Sequence, residues 1–214
     1  MIRILKYGVW VYKYGFVNAY LKIKYKFQKK NRQQLNREPI TNTSISDSAL
    51  YINYPSFCAT AAENEKVFHE FRTYNEIIQV LDHVSIEEAS GYIDEILRYS
   101  NWEKDFTNTL NTLDSLGKPY RYKFKFGNFS TTSIRYLKTY LEIKKLFGNL
   151  DHYNVQEIGV GFGGQASIFI MLSQLHSYTF YDLIPTLNLS KKFITSLNLT
   201  GNFNFNNGHN PQAI

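Results

Sequence analysis

Apolar residues recur at three- and four-residue spacing through residues 49–150, then fall into short alternating runs between helical stretches from residue 153 onward. Val67, Phe68, Phe71, Tyr74, Ile77, Ile78 and Leu81 predict one buried helix face, because residues three and four apart share a side of a helix. Ser85-Ile86-Glu87-Glu88 predicts a capping box, in which hydroxyl and carboxylate satisfy free amides of a first turn. It opens a helix burying Ile86, Ala89, Ile93, Ile96 and Leu97. A further helix is predicted from about Trp102 to Leu116, stopped by Gly117 with Pro119 beyond. The run Tyr120 to Phe126 alternates ring and cation, as a half-buried strand does, and its rings also offer flat faces to a sugar or nucleotide. Residues Ser130 through Ser133 cap a helix from Ile134 to Phe147, ended by Gly148.

The second half reads as strand, helix, strand, helix. Val155-Gln156-Glu157-Ile158 leads into Gly159-Val160-Gly161-Phe162-Gly163-Gly164, followed by a helix over Gln165–Leu172. Tyr178-Thr179-Phe180-Tyr181 forms a second strand ending at Asp182, a helix runs from about Leu187 to Leu197, and Asn202 to Phe205 begin a third strand. This order predicts an α/β fold: an N-terminal mostly helical region followed by a partial Rossmann-type core. The chain divides into a basic aromatic arm and polar linker (1–48), a helical region (49–150) and the first part of the Rossmann-type domain (151–214).

The glycine-rich turn is where the chemistry concentrates. Glycines accept positive φ and carry no Cβ, so backbone can approach a ligand closely while the following helix offers free amides. Asp182, about 20 residues past the turn, is placed to accept hydrogen bonds from ribose hydroxyls. Gly159-x-Gly161-x-x-Gly164 also satisfies the dinucleotide fingerprint, so NAD or FAD remains an alternative. Glu157 weighs against it, because a carboxylate beside the first glycine suits a cationic, amine-bearing ligand better than a pyrophosphate. S-adenosyl-L-methionine carries an amine and a sulfonium and no phosphate.

Glu157-x-Gly159-x-Gly161-x-Gly163 with an acid closing the second strand resembles class I methyltransferases. More narrowly, Glu157 through Gln165 is similar to the sugar O-methyltransferase family, as are Ser177 through Leu183 with Leu187 and Lys191-Lys192-Phe193, and the lead-in Phe129 through Leu137. The resemblance covers about residues 120–200. It implies a turn of Gly159, Gly161, Gly163 and Gly164 beneath the methionine part of the cofactor, Glu157 near its amino group and Asp182 on the ribose. It further implies methylation of a sugar hydroxyl in surface polysaccharide or glycolipid synthesis.

The chain departs from that family after the third strand. A class I sheet has about seven strands, so the core is expected to be truncated and the isolated chain to have little methyltransferase activity. An edge-exposing partial sheet also invites pairing with another chain. The competing expectation is a non-catalytic relic or an assembly protein acting at a membrane surface.

Charge and composition refine this picture. The net charge is +6 overall, yet residues 1–38 carry ten basic residues against Glu38, leaving the remainder acidic. Residues 1–32 interleave those cations with rings, which suits a solvated basic arm or peripheral contact with anionic lipid; nucleic acid is disfavoured. The single cysteine, Cys58, excludes an intrachain disulfide and is expected to be inert, and no apolar run is long enough to span a bilayer. The expectation is a cytoplasmic protein with peripheral contact at the inner membrane surface as an option. His152 and His176 are expected at the amino-terminal ends of the strands, away from a ligand crevice, with His69 and His83 on the helical region and His209 in the tail. No residue cluster has metal-ligand spacing. No catalytic base stands out.

Overall fold

The computed structural model describes residues 53–207, so the arm and linker (1–48) and the tail beyond residue 207 lie outside the described residues. Helix α1 (Tyr54–Glu63) starts the described chain, followed by α2 (Glu65–His69), a 3-10 turn (Phe71–Thr73) and α3 (Asn75–Val80). The one helix predicted over Val67–Leu81 is therefore broken into three pieces. Glu70 and Tyr74 leave helical geometry, and the Arg72 amide donates to the Gly117 carbonyl at 3.0 Å rather than up its own helix. Phe68, Phe71 and Ile77 are nevertheless buried, so the periodicity located the apolar face without the break in it.

The capping box is present: the Glu88 amide donates to Ser85 Oγ at 3.1 Å and the Ser85 amide to Glu88 Oε2 at 2.7 Å. It opens α4 (Ile86–Tyr99), which buries Ala89, Ile93 and Ile96, while Leu97 is exposed. Helix α5 (Lys104–Leu113) is shorter at both ends than expected. The alternating run around residue 122 forms strand β1 (Arg121–Phe124) and turns back at once into β2 (Gly127–Ser130), an antiparallel hairpin in place of one long strand. Ser130 then caps α6 (Thr131–Phe147), its Oγ accepting from the Ser133 amide at 3.2 Å.

The remaining elements are β3 (Asn154–Ile158), α7 (Gly164–Leu172), β4 (Ser177–Tyr181), α8 (Ile184–Ser196) and β5 (Phe203–Asn206). The three strands form a parallel sheet in the order β3-β4-β5, so the fold is mixed α/β. Register aligns Val155, Tyr178 and Phe203 in one row and Glu157, Phe180 and Phe205 in the next. The opposite face carries Gln156, Thr179 and Asn204, a polar row, as expected for a sheet covered by helices on one side only. A single apolar cluster runs from the N-terminal helices into the sheet region. Phe162 lies 5.4 Å from Phe71 and 4.9 Å from Phe193, ring centre to ring centre, so the two regions share a core.

Candidate functional site

The segment linking β3 to α7 turns through three glycines with positive φ: Gly159 (78°), Gly161 (54°) and Gly163 (86°). A side chain at any of these would be strained, which is why the sequence places glycine there. The three differ in what they face. Nothing lies within 4 Å of the position a Cβ would take on Gly159, so its backbone is open. On Gly161 a Cβ would stand 2.9 Å from Leu81 Cδ1, and on Gly163 it would meet Ser190 and Ile194 of α8. On Gly164 it would collide with Tyr136 and Phe162. Gly163 and Gly164 thus let helices pack closely, and Leu81, from the end of the α3 segment, roofs Gly161. Of these four glycines only Gly159 is exposed, and it is there that the backbone is open; Gly161, Gly163 and Gly164 are buried.

Asp182, just past β4, points back at this turn. Its Oδ2 accepts the Gly161 amide at 3.2 Å and its Oδ1 accepts the Leu183 amide at 2.7 Å. Burial holds the Asp182 carboxyl above its ordinary value, with the bonds to Leu183 and Gly161 pulling the other way. Glu157, on β3, accepts a hydrogen bond from the Tyr178 hydroxyl at 2.8 Å on the neighbouring strand. Burial pushes the Glu157 carboxyl up to about 7; the Tyr178 bond opposes this and the Asp182 charge adds to it. The two acids proposed from the sequence are therefore brought together, one at each side of the glycine turn and close enough to repel. Among the described residues neither is paired with a cation, and both are costly to ionise without one.

Three further groups border Asp182 and carried no signal in the sequence. Tyr54 and Cys58 on α1 and Thr186 on α8 are all buried; among the described residues the Tyr54 and Thr186 hydroxyls reach no partner at ordinary hydrogen-bond distance, with Cys58 beside both and Asp182 beside Thr186 as polar neighbours. Asp182 raises both Tyr54 and Cys58 through its charge. Burial pushes the Cys58 thiol up to about 12, so the thiolate is inaccessible at neutral pH, in keeping with an inert cysteine.

A cavity of about 710 Å³ reaches this site along the outer edge of β3, lined by Glu157, Gly159, Gln165, Tyr136 and Arg135 among others. Among the described residues no strand pairs with that edge. Ile158 is 88% exposed at the carboxyl end of β3, and Leu146, Phe147 and Tyr153 are exposed before its amino end.

A buried polar node supports the turn from below. The Arg72 guanidinium, fully buried, donates to Asp82 at 3.0 and 3.2 Å, to Asp114 at 3.1 Å and to Ser130 Oγ at 2.9 Å, and lies 4.9 Å from the centre of the Phe162 ring. Burial disfavours the charge, but Asp82 and Asp114 outweigh that and hold Arg72 above its ordinary value. Asp114 also accepts from the Ser130 amide at 2.6 Å and Ser133 Oγ at 2.7 Å, tying the start of α6 to α5. Nothing in the pattern around Arg72 distinguishes it from a surface arginine.

His152 and His176 sit just before β3 and β4, at the end of the sheet opposite the glycine turn; their amides donate to Gln174 and Tyr153 carbonyls. His69 and His83 are exposed. Among the described residues no group of histidine, cysteine or acid side chains has the geometry of a metal site. Also among them, no helix is long and apolar enough to cross a membrane. Comparison with protein-family models and with curated proteins finds no match.

The donor set suits S-adenosyl-L-methionine: an open backbone at Gly159, a desolvated carboxylate at Glu157 with no cation beside it among the described residues, and the Asp182 carboxylate oriented by the turn. A dinucleotide fits less well, because its pyrophosphate would have to approach between two carboxylates.

Proposed function

We propose that this chain is, or forms the N-terminal portion of, an S-adenosyl-L-methionine-dependent O-methyltransferase acting on a sugar hydroxyl. The observation that carries the reading is the pair of acids on adjacent parallel strands, Glu157 and Asp182, flanking a left-handed glycine turn at the carboxyl ends of those strands. In open α/β sheets that is the end where ligands bind.

Each residue has a task in this reading. Glu157 meets the amino group of the methionine portion, and the incoming cation restores the ionised carboxylate that burial opposes. Asp182 accepts from the ribose hydroxyls while its bonds to Gly161 and Leu183 fix its orientation. Gly159 leaves room for the ligand to lie against the backbone. When bound, the cofactor supplies an electrophilic methyl group. The protein's part is to hold an acceptor hydroxyl in line with it and to receive the proton. The polysaccharide or glycolipid setting rests on the sequence resemblance alone.

Titration calorimetry with S-adenosylhomocysteine tests this. Micromolar binding that is lost in Asp182→Ala, together with no binding of NADH, is the expected result. Binding of NADH in place of S-adenosylhomocysteine would transfer the site to a nicotinamide cofactor. A second reading, a non-catalytic assembly module, has one observation in its favour: among the described residues no strand pairs with the outer edge of β3, and Ile158 is exposed at its end. Self-association that is abolished by Ile158→Lys, with no nucleoside binding, would support it.

A further inference from the structure

A second cavity, of about 570 Å³, opens between the segment after α3 and the start of the β1–β2 hairpin, within the size range of small-molecule sites. Its walls include Gln79, Asp82, His83, Tyr120 and Tyr122, with Arg72 at its base. It is one residue layer from the glycine turn by two routes. Leu81, next to Asp82, roofs Gly161, and the Arg72 guanidinium stands over the ring of Phe162, between Gly161 and Gly163.

The chemistry of the walls is specific. Tyr120 and Tyr122 bring two rings to one side, and burial holds the Tyr122 phenol above its ordinary value with Tyr120 adding to it, so it stays a neutral donor. Gln79 adds an amide, His83 an imidazole, and Asp82 a carboxylate that is 11% exposed. Arg72 is fully buried, and four of its five N–H groups already donate to Asp82, Asp114 and Ser130, so it offers little to an anion. An anionic ligand would also face Asp82 directly. A ligand with several hydroxyls, no charge and an apolar C–H face suits these polar groups and rings, and the remaining Ile78, Val84, Ile86 and Pro119 lining favours its apolar face.

We propose that this cavity binds a neutral pyranoside, with its C–H face against Tyr122 and its hydroxyls on Gln79 and Asp82. The claim that the bound sugar is the methyl acceptor rests on the transferase reading; the binding itself does not.

Saturation-transfer NMR on the full chain, with methyl β-D-glucopyranoside, methyl α-D-mannopyranoside and D-glucuronate as probes, tests the proposal. Transfer to the ring protons of at least one neutral glycoside and not to glucuronate is expected. Tyr122→Leu and Gln79→Ala should each weaken that binding by about tenfold, with circular dichroism confirming that each variant is folded. Gln79 is exposed on α3, so its variant keeps the test valid should Tyr122→Leu disturb the hairpin. The proposal is overturned if neither neutral glycoside shows transfer, if glucuronate is preferred, or if both variants bind as the parent does. Calorimetry with S-adenosylhomocysteine on the same samples separates the two sites. Glycoside binding without nucleoside binding would keep the sugar pocket and remove the transferase assignment, and the reverse result would do the opposite.

Discussion

Replacing Glu157 by glutamine should stabilise the protein, and by an amount that depends on pH. The amide keeps an oxygen to accept from Tyr178 and removes only the ionisable proton. The carboxyl titrates near its ordinary value of 4.5 when the chain is unfolded, and burial pushes it up to about 7 when folded. Between those values the folded state holds a proton that the unfolded state has released. Stability contributed by the neutral carboxyl is therefore complete below about pH 4.5 and is lost as pH rises towards about 7. The gap corresponds to about 3 kcal/mol, each unit being about 1.4 kcal/mol, an upper figure because water penetration and relaxation reduce it. Urea denaturation of parent and Glu157→Gln at steps from about pH 4 to about pH 8 measures the effect, and taking the difference cancels the other titrating groups. The variant should gain on the parent across the window and then run parallel to it. Parallel curves throughout, or a parent that gains on the variant as pH rises, would refute the claim that Glu157 is held unpartnered by a cation in a poorly solvated place.

Arg72→Met should cost about 3–5 kcal/mol, because Asp114 is left buried without its counter-charge; a loss under about 1 kcal/mol in chemical denaturation would show that the node is not structural. Gly161→Ala should weaken S-adenosylhomocysteine binding, since the turn holds φ at 54° and the new methyl meets Leu81; adding Leu81→Ala should recover only the steric part, and unchanged affinity in the single variant would contradict this. Cys58 should resist thiol reagents in the native protein at about pH 8 and react once the chain is unfolded, as burial and its raised pKa require; rapid native labelling would disprove it.

The parts of the fold governed by local rules were legible in the sequence. The Ser85–Glu88 box, the Ser130 cap and the two β-α pairs follow from residues adjacent in the chain, and each appears within a few residues of its expected place. The parts that failed depend on distant partners. Residues 67–81 keep helical spacing, yet the helix breaks where the amide and guanidinium of Arg72 reach Gly117, Asp82 and Asp114. The run at Tyr120–Phe126 alternates as one strand, but it returns as a hairpin: β2 pairs back along it, and the Arg121 guanidinium bonds the Asn128 carbonyl.

The site divides along the same line. Glu157, Asp182 and the turn are close in sequence and their spacing implies a shared function. Leu81, Tyr54 and Thr186 reach the same place from other helices, and no pattern in one sequence reports such a meeting. Gly163 and Gly164 show the converse. A glycine motif does not reveal which glycines serve a ligand and which serve helix packing, and only the neighbours at 3.3 Å and closer distinguish them.

A heteronuclear NMR titration of the intact chain with S-adenosylhomocysteine tests the central claim most directly. The amides of Gly161 and Leu183 both donate to Asp182, and Gly159 has the open backbone, so these three report on the turn and its acid together. Concerted shifts at all three that saturate with ligand, and that disappear in Asp182→Ala, are the predicted result. Shifts confined to other parts of the sheet, or none at a saturating concentration, would contradict the assignment of this turn as a nucleoside site.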